Sequence, residues 1–137
     1  MKKLTILILS LMCSNVMAAW TQLEDSHEVG ITAYANKGKI RSVGLNKVTM
    51  SHLLDFKNKQ KTSSGLTYQS IKQVVEYDCD EEHFRSHATA IFAGPMGSGK
   101  VVTSIGYSKQ WQPIESNTLE ATLWEAACNK QRVTKHD

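Results

Sequence analysis

The chain has 137 residues and lacks a hydrophobic run long enough to span a bilayer as a helix, which takes about 20 apolar residues. It also lacks an excess of one charge, so nothing in it calls for nucleic acid or an anionic membrane as partner. No G-x-S-x-G elbow or other nucleophile spacing occurs, which argues against an enzyme. There is no internal repeat and no linker. The one low-complexity stretch is KNKQKTSSG, read as a loop, whose Lys57, Lys59 and Lys61 form a local, solvated basic run.

What is present begins at the N-terminus. Lys2 and Lys3 precede a short apolar core, Leu4 to Met12, interrupted by Ser10 and followed by Ser14 and Asn15, and Val16, Met17 and Ala18 supply small residues for cleavage. This is the layout of a secretory signal peptide over 1–18, with the mature chain starting at Ala19 as a single domain, 19–137. Cys13 raises the alternative of a lipid-anchored N-terminus, but Met12 occupies the place where lipoprotein processing takes a small residue. The formal charge of +3 includes Lys2 and Lys3, and all thirteen acidic residues lie beyond residue 18. The mature chain therefore carries fourteen basic against thirteen acidic residues. Its two cysteines, Cys79 and Cys128, form an even pair bound for an oxidising compartment, and such a pair reads as a disulfide. A ring of about 50 residues closed in this way is worth roughly 4 kcal/mol of unfolded-chain entropy. The competing state, two free thiols ligating a metal, is rare in exported proteins.

The mature chain is mostly strand-like. Trp20 to Leu23 and Val29 to Ala35 suggest a first hairpin, Asn36-Lys37-Gly38 a turn, and Lys39 to Val43 and Lys47 to Phe56 further strands. In Tyr68 to Cys79 the residues Ile71, Val75, Tyr77 and Cys79 point one way, and Lys72, Glu76 and Asp78 the other. His83 to Ala93 alternates with Phe84, Ala88, Ala90 and Phe92 on one side, and Val101 to Tyr107 is rich in β-branched residues. The period changes only at the end. Asn117 is a candidate N-cap with Glu120 completing a capping box, and Leu119, Leu123, Ala126 and Ala127 recur at helical spacing with Trp124 and Cys128 one turn apart. The fold class is α+β: an antiparallel sheet of about six strands with one C-terminal helix packed on it, pinned by a single disulfide.

GPMGSGK, Gly94 to Lys100, matches the fixed positions of a phosphate loop. That device needs a helix directly after the lysine and a hydroxyl residue for Mg²⁺. Here Val101 follows and VVTSIGY is strand-forming, so the stretch reads as a hairpin connection. Gly94, Gly97 and Gly99 would permit positive φ, and Pro95 would set the entry. No nucleotide is expected.

The succession VVEYDC, an Arg-containing strand, AGPMGSGKVV, WQPI and LEATLWEAAC resembles the surface-adhesin protein E-like domain family of Gram-negative envelope proteins, from about Trp20 to Cys128. The resemblance implies a small sheet-plus-helix domain with Cys79 joined to Cys128, export to the envelope, and contact with other proteins. The founding type is a lipid-anchored adhesin, and this chain departs from it at the residue before Cys13.

Other clusters carry chemistry only on paper. Cys79, His83 and His87 have a C-x₃-H-x₃-H spacing that would share a zinc ion on a helix, but on a strand each step spans roughly 13 Å. Asp78, Asp80, Glu81 and Glu82 crowd one turn without the glycine of a calcium loop, and Arg85 is placed to pair with one of them. Trp20 and Trp124 read as core. Trp111, in SKQWQPI, and Lys100 are the candidate partner contacts. The resulting expectation is a non-enzymatic exported protein that meets a protein partner, with no cofactor and no metal. It acts as a surface adhesin or, alternatively, as a soluble periplasmic binding or inhibitory module.

Overall fold

A computed structural model describes residues 20–23 and 29–134, with side chains through Asn129; the signal segment, Cys13 and Ala19 lie outside the described residues. The spine is a long hairpin of β4 (Lys47–Lys61) and β5 (Thr67–Asp78), whose alternating residues pair Val48 with Tyr77, Met50 with Val75 and Leu54 with Ile71. Directly opposed residues project from the same face, so these pairs make one apolar surface. β2 (Ile31–Ala35) adds to one side of the spine and β6 (His83–Phe92) to the other, while β1 (Thr21–Gln22) and β7 (Val101–Ile105) complete the order β1-β2-β4-β5-β6-β7, all antiparallel. Two short strands, β3 (Arg41–Gly44) and β8 (Gln112–Pro113), pair with the free ends of β4 and β6.

The helix α1 (Leu119–Thr134) lies on the apolar face. Leu119, Leu123, Ala127 and Cys128 are buried with Val48, Met50, Val75 and Tyr77 in one core cluster, which Phe84 and Ile114 flank. Two anchors fix the helix at one place. Cys128 is bonded to Cys79 with Cα atoms 5.6 Å apart, and one turn earlier the Trp124 indole Nε1 donates to the Asp78 carbonyl at 2.9 Å. The expected fold class, the disulfide and the position of Trp124 between helix and sheet all stand.

Several local expectations do not. KNKQKTSSG is not a loop through its lysines. β4 continues to Lys61, and Gln60 and Lys61 pair with Tyr68 and Thr67. Main-chain pairing carries the hairpin beyond the core, where exposed lysines leave no apolar alternation to read. The helix cap is Thr118, whose Oγ1 accepts from the Ala121 amide at 3.2 Å. Asn117 instead takes φ 60° in the preceding turn, a conformation Asn tolerates better than Thr.

The largest departure lies in β6. Val74 pairs with Ala88 but Val75 pairs with Ser86, so His87 is an extra residue in a β-bulge. The bulge inverts the phase, putting Phe84 opposite Tyr77 on the helix side. Ala88, Ala90 and Phe92 project from the other face, opposite Val74, Lys72 and Ser70. Phe84 and the three later residues therefore do not share a side.

Candidate functional site

The sheet face opposite α1 carries no covering helix among the described residues, and its side chains are organised at both ends of β6. At the first end the antiparallel register sets Arg85 across from Glu76. The Glu76 carboxylate, only 5 % exposed, accepts from Arg85 Nε at 2.9 Å and Arg85 Nη2 at 2.8 Å on one oxygen. It accepts from His87 Nε2 at 3.0 Å on the other. Because a carboxylate only accepts, the proton of His87 sits on Nε2. The bulge makes this possible: in regular pleating His87 and Ala88 would point to opposite faces, whereas here His87 leans to the acid and Ala88 still faces outward. The Arg85 guanidinium lies 4.2 Å from the centroid of Trp111 and 5.4 Å from that of Tyr107, and His87 meets Tyr107 edge-on at 5.0 Å. Arg85 is thus held by charge and stacked on two rings. This is a rigid, half-buried aromatic and cationic group on an open face.

At the other end the glycine loop folds back onto the sheet. Ser70, fully buried, donates from Oγ to the Gly94 carbonyl at 2.7 Å and accepts from the Gly97 amide at 2.9 Å. The Met96 amide donates to Asp55 Oδ1 at 2.8 Å. Gly97 and Gly99 have φ of 71° and 77°, as expected, but Gly94 does not. Its φ is −102°, and it is glycine because a Cβ there would lie 2.6 Å from Ser98 Oγ and 2.9 Å from Ser98 O. The chain continues into β7 rather than a helix, so the amides point at Ser70 and Asp55 instead of converging on a phosphate. Besides connecting two strands, the loop covers Leu53, which is 1 % exposed on this face.

The two candidate contacts fall at opposite ends of β6. The residue after Trp111 pairs with Phe84, and Lys100 accepts from the Ala93 amide. About eight strand residues, or roughly 26 Å, separate them. They cannot belong to one small contact. Trp111 has one ring face taken by Arg85, and Lys100 is exposed.

Arg85 bonds none of the four residues in the acidic turn as had been expected. The turn is tied to itself: Asp78 Oδ1 accepts from the amides of Asp80 and Glu81 at 3.0 and 3.1 Å, Asp78 pairs with Lys47 at 3.8 Å, and Asn46 bonds Asp80. The members of the C-x₃-H-x₃-H series are apart, with Cys79 in the disulfide and His87 on Glu76. Among the described residues no three His, Cys, Asp or Glu side chains converge for a metal. A hollow of about 410 Å³ between β8 and the start of α1 is rimmed by Glu115, Thr118 and Glu120, and the Thr118 hydroxyl is taken up in capping α1.

Sequence reading missed Glu76, Arg85, His87 and Tyr107 as a group. A signal was available, since a hairpin turning at Asp78–His83 puts Arg85 opposite Glu76. The bulge that recruits His87 had none.

On the helix side, a buried polar chain runs across three strands. His52 Nε2 donates to Gln73 Oε1 at 2.8 Å, and Gln73 Nε2 donates to Thr89 Oγ1 at 3.1 Å. Burial holds His52 neutral, its pKa lowered to about 4 by desolvation against a smaller opposing effect of the Gln73 bond. Its Nδ1 has no partner among the described residues. Burial also pushes the Tyr77 phenol up, and the charge of Glu120 adds to this.

An antiparallel sheet with its C-terminal helix locked by a disulfide onto one face, and with stacked side chains uncovered on the other, defines a small α+β domain of one sheet and one helix. The family model described as Surface-adhesin protein E matches residues 20–129, and the chain belongs to that family. Crystal form II of Haemophilus influenzae protein E superposes with a TM-score of 0.63 at 13 % identity, over 85 % of this chain and 91 % of that one. Protein E from non-typeable Haemophilus influenzae gives 0.57 at 13 % identity, over 88 % of this chain and 82 % of that one. At such identity the likeness is one of fold. No curated protein matches the chain.

Proposed function

We propose that the protein is exported across the inner membrane and works without catalysis, by binding another protein through the sheet face opposite α1. The observation that carries this reading is the Arg85 guanidinium held by Glu76 and set against the rings of Trp111 and Tyr107. Arg, Trp and Tyr are the residues that most often dominate protein interfaces, and here their rotamers are fixed before any partner arrives. Membership in an adhesin family supports the same reading, as does the signal-like segment 1–18. Trp111 is the central contact, and Lys100 lies at the far margin of the same β6 neighbourhood.

Two placements fit this function, the cell surface and the periplasm. Met12 ahead of Cys13 favours the second, a soluble binding or inhibitory module, because lipid attachment at Cys13 lacks its small neighbour. Among the described residues no helix is long and apolar enough to cross a membrane. The test uses a photo-crosslinking amino acid at Ala88 or Trp111 on the open face and at Glu125 on the exposed side of the helix, in cells of the native host. Protein adducts from the first two positions and not the third support the assignment. Absence of adducts from all three overturns it. Osmotic-shock fractionation separates the placements: protein confined to the shock fluid removes the adhesin role.

A further inference from the structure

The open face also carries a continuous depression between its two organised ends. A hollow of about 230 Å³ is lined by Lys39, Arg41, Thr49, Ser51 and Val74. A second, of about 380 Å³, is lined by Val74, Lys72, Ala88, Ala90 and Ser104. Val74 borders both, so together they form a trough crossing from β3 to β7. Its floor is flat because Val74, Ala88, Ala90 and Ser104 are small, and Ala88 is exposed although β6 is an inner strand. Four interstrand spacings make the trough about 19 Å long, the reach of about six residues of extended chain.

Among the described residues, cations outnumber free carboxylates on this face. Glu76 is paired with Arg85 and Asp78 with Lys47, and Asp55 keeps its charge where it accepts from the Met96 amide. Three cations on the rim, Lys39, Arg41 and Lys72, have no ion-pair partner among the described residues. Lys72 only approaches the Trp20 ring, at 5.7 Å. A flat floor excludes bulky side chains from being sunk, and a cationic rim selects anions.

The geometry points to an extended, acidic segment of a partner protein as the occupant of this trough. Its small side chains lie over Val74 and Ala88, and its carboxylates reach Arg41 and Lys39 at one end and Lys72 further along. This assignment rests on the protein-contact reading above and names the chemistry of the partner.

The probe is an end-blocked octapeptide alternating glutamate and alanine, titrated into the ¹⁵N-labelled, disulfide-bonded protein. Saturable amide shifts centred on Val74, Ala88, Ala90 and Ser104 are expected, with an affinity that falls about tenfold when Arg41→Glu and Lys72→Glu are combined. Both side chains are exposed, and an unchanged spectrum elsewhere checks that the variant folds. Equal binding of a lysine–alanine octapeptide, shifts confined to another surface, or no shift at millimolar peptide each overturns the assignment. So does a heparin-derived hexasaccharide that occupies these amides while the peptide does not, an outcome that makes the ligand an anionic glycan. Photo-adducts from Ala88 that persist undiminished in the doubly reversed protein overturn the acidic segment alone, whereas absence of adducts from every position overturns the contact function itself.

Discussion

The two faces of this sheet are built from the same strands and held in different ways. The helix side is mostly apolar, and its cover is fixed at the adjacent residues Asp78 and Cys79 at the end of β5, by the Cys79 disulfide and by the Asp78 carbonyl under Trp124. The opposite side has no such cover among the described residues. Its order comes from charge and hydrogen bonds, with Glu76 gathering Arg85 and His87 at one end and Ser70 gathering the glycine loop at the other. Burial of apolar area is what stabilises a small domain, and it uses side chains up. Polar ties fix rotamers without hiding the groups they fix. The first face therefore makes the domain stable, and the second stays available for recognition.

The largest expected effect comes from breaking the helix side. Cys128→Ser should destabilise the protein by about 2–5 kcal/mol, read as a lowered melting temperature that reductant lowers no further. Melting unchanged from the parent would show that the staple contributes nothing.

Acid should attack the same face through His52. With a folded pKa near 4 and an unfolded one of about 6.5, the unfolded chain binds the proton first. Its contribution is full above pH 6.5, declines as pH falls to about 4, and is then constant, a loss of roughly 3 kcal/mol. Denaturant titrations at stepped pH should show this slope, and His52→Gln should flatten it. An equally steep slope in the variant would assign the acid sensitivity to other groups.

Ser70→Ala sharpens the contrast from the open side. It leaves the Gly94 carbonyl and the Gly97 amide without their partner, costing about 1–3 kcal/mol, and should speed hydrogen exchange at Gly97 while leaving α1 protected. Equal acceleration in the helix would mean that the two faces open together. The smallest change in stability is expected at Trp111→Ala, about 1 kcal/mol or less because Arg85 keeps its bonds to Glu76. The same substitution should abolish photo-adducts formed from Ala88. Unaltered adducts would move the contact away from the stacked cluster.

The helix face was legible in the sequence because it is written in periods. Val75, Tyr77 and Cys79 alternate, Leu119, Leu123 and Ala127 return at helical spacing, and two cysteines remained to join them. The open face followed no period. His87 reaches Glu76 only because one extra residue in β6 reverses the phase, and a pattern of apolar and polar residues reads smoothly through such an insertion. The glycine loop was legible as a turn, but its docking on Ser70 joins residues far apart in the chain. Lys57, Lys59 and Lys61 read as loop since strand pairing beyond a core leaves no hydrophobic trace.

By itself the sequence determined the class of fold, the core-facing residues of β5 and α1 and the pair of sulfurs that joins them, because each rests on local periodicity or on a count of residue types. Which side chains meet on the uncovered face, and that Trp111 and Lys100 stand at its opposite ends, was decided only by the tertiary structure. Those relations depend on strand register and on a bulge, and both are set by pairing between distant segments rather than by the preferences of any one of them.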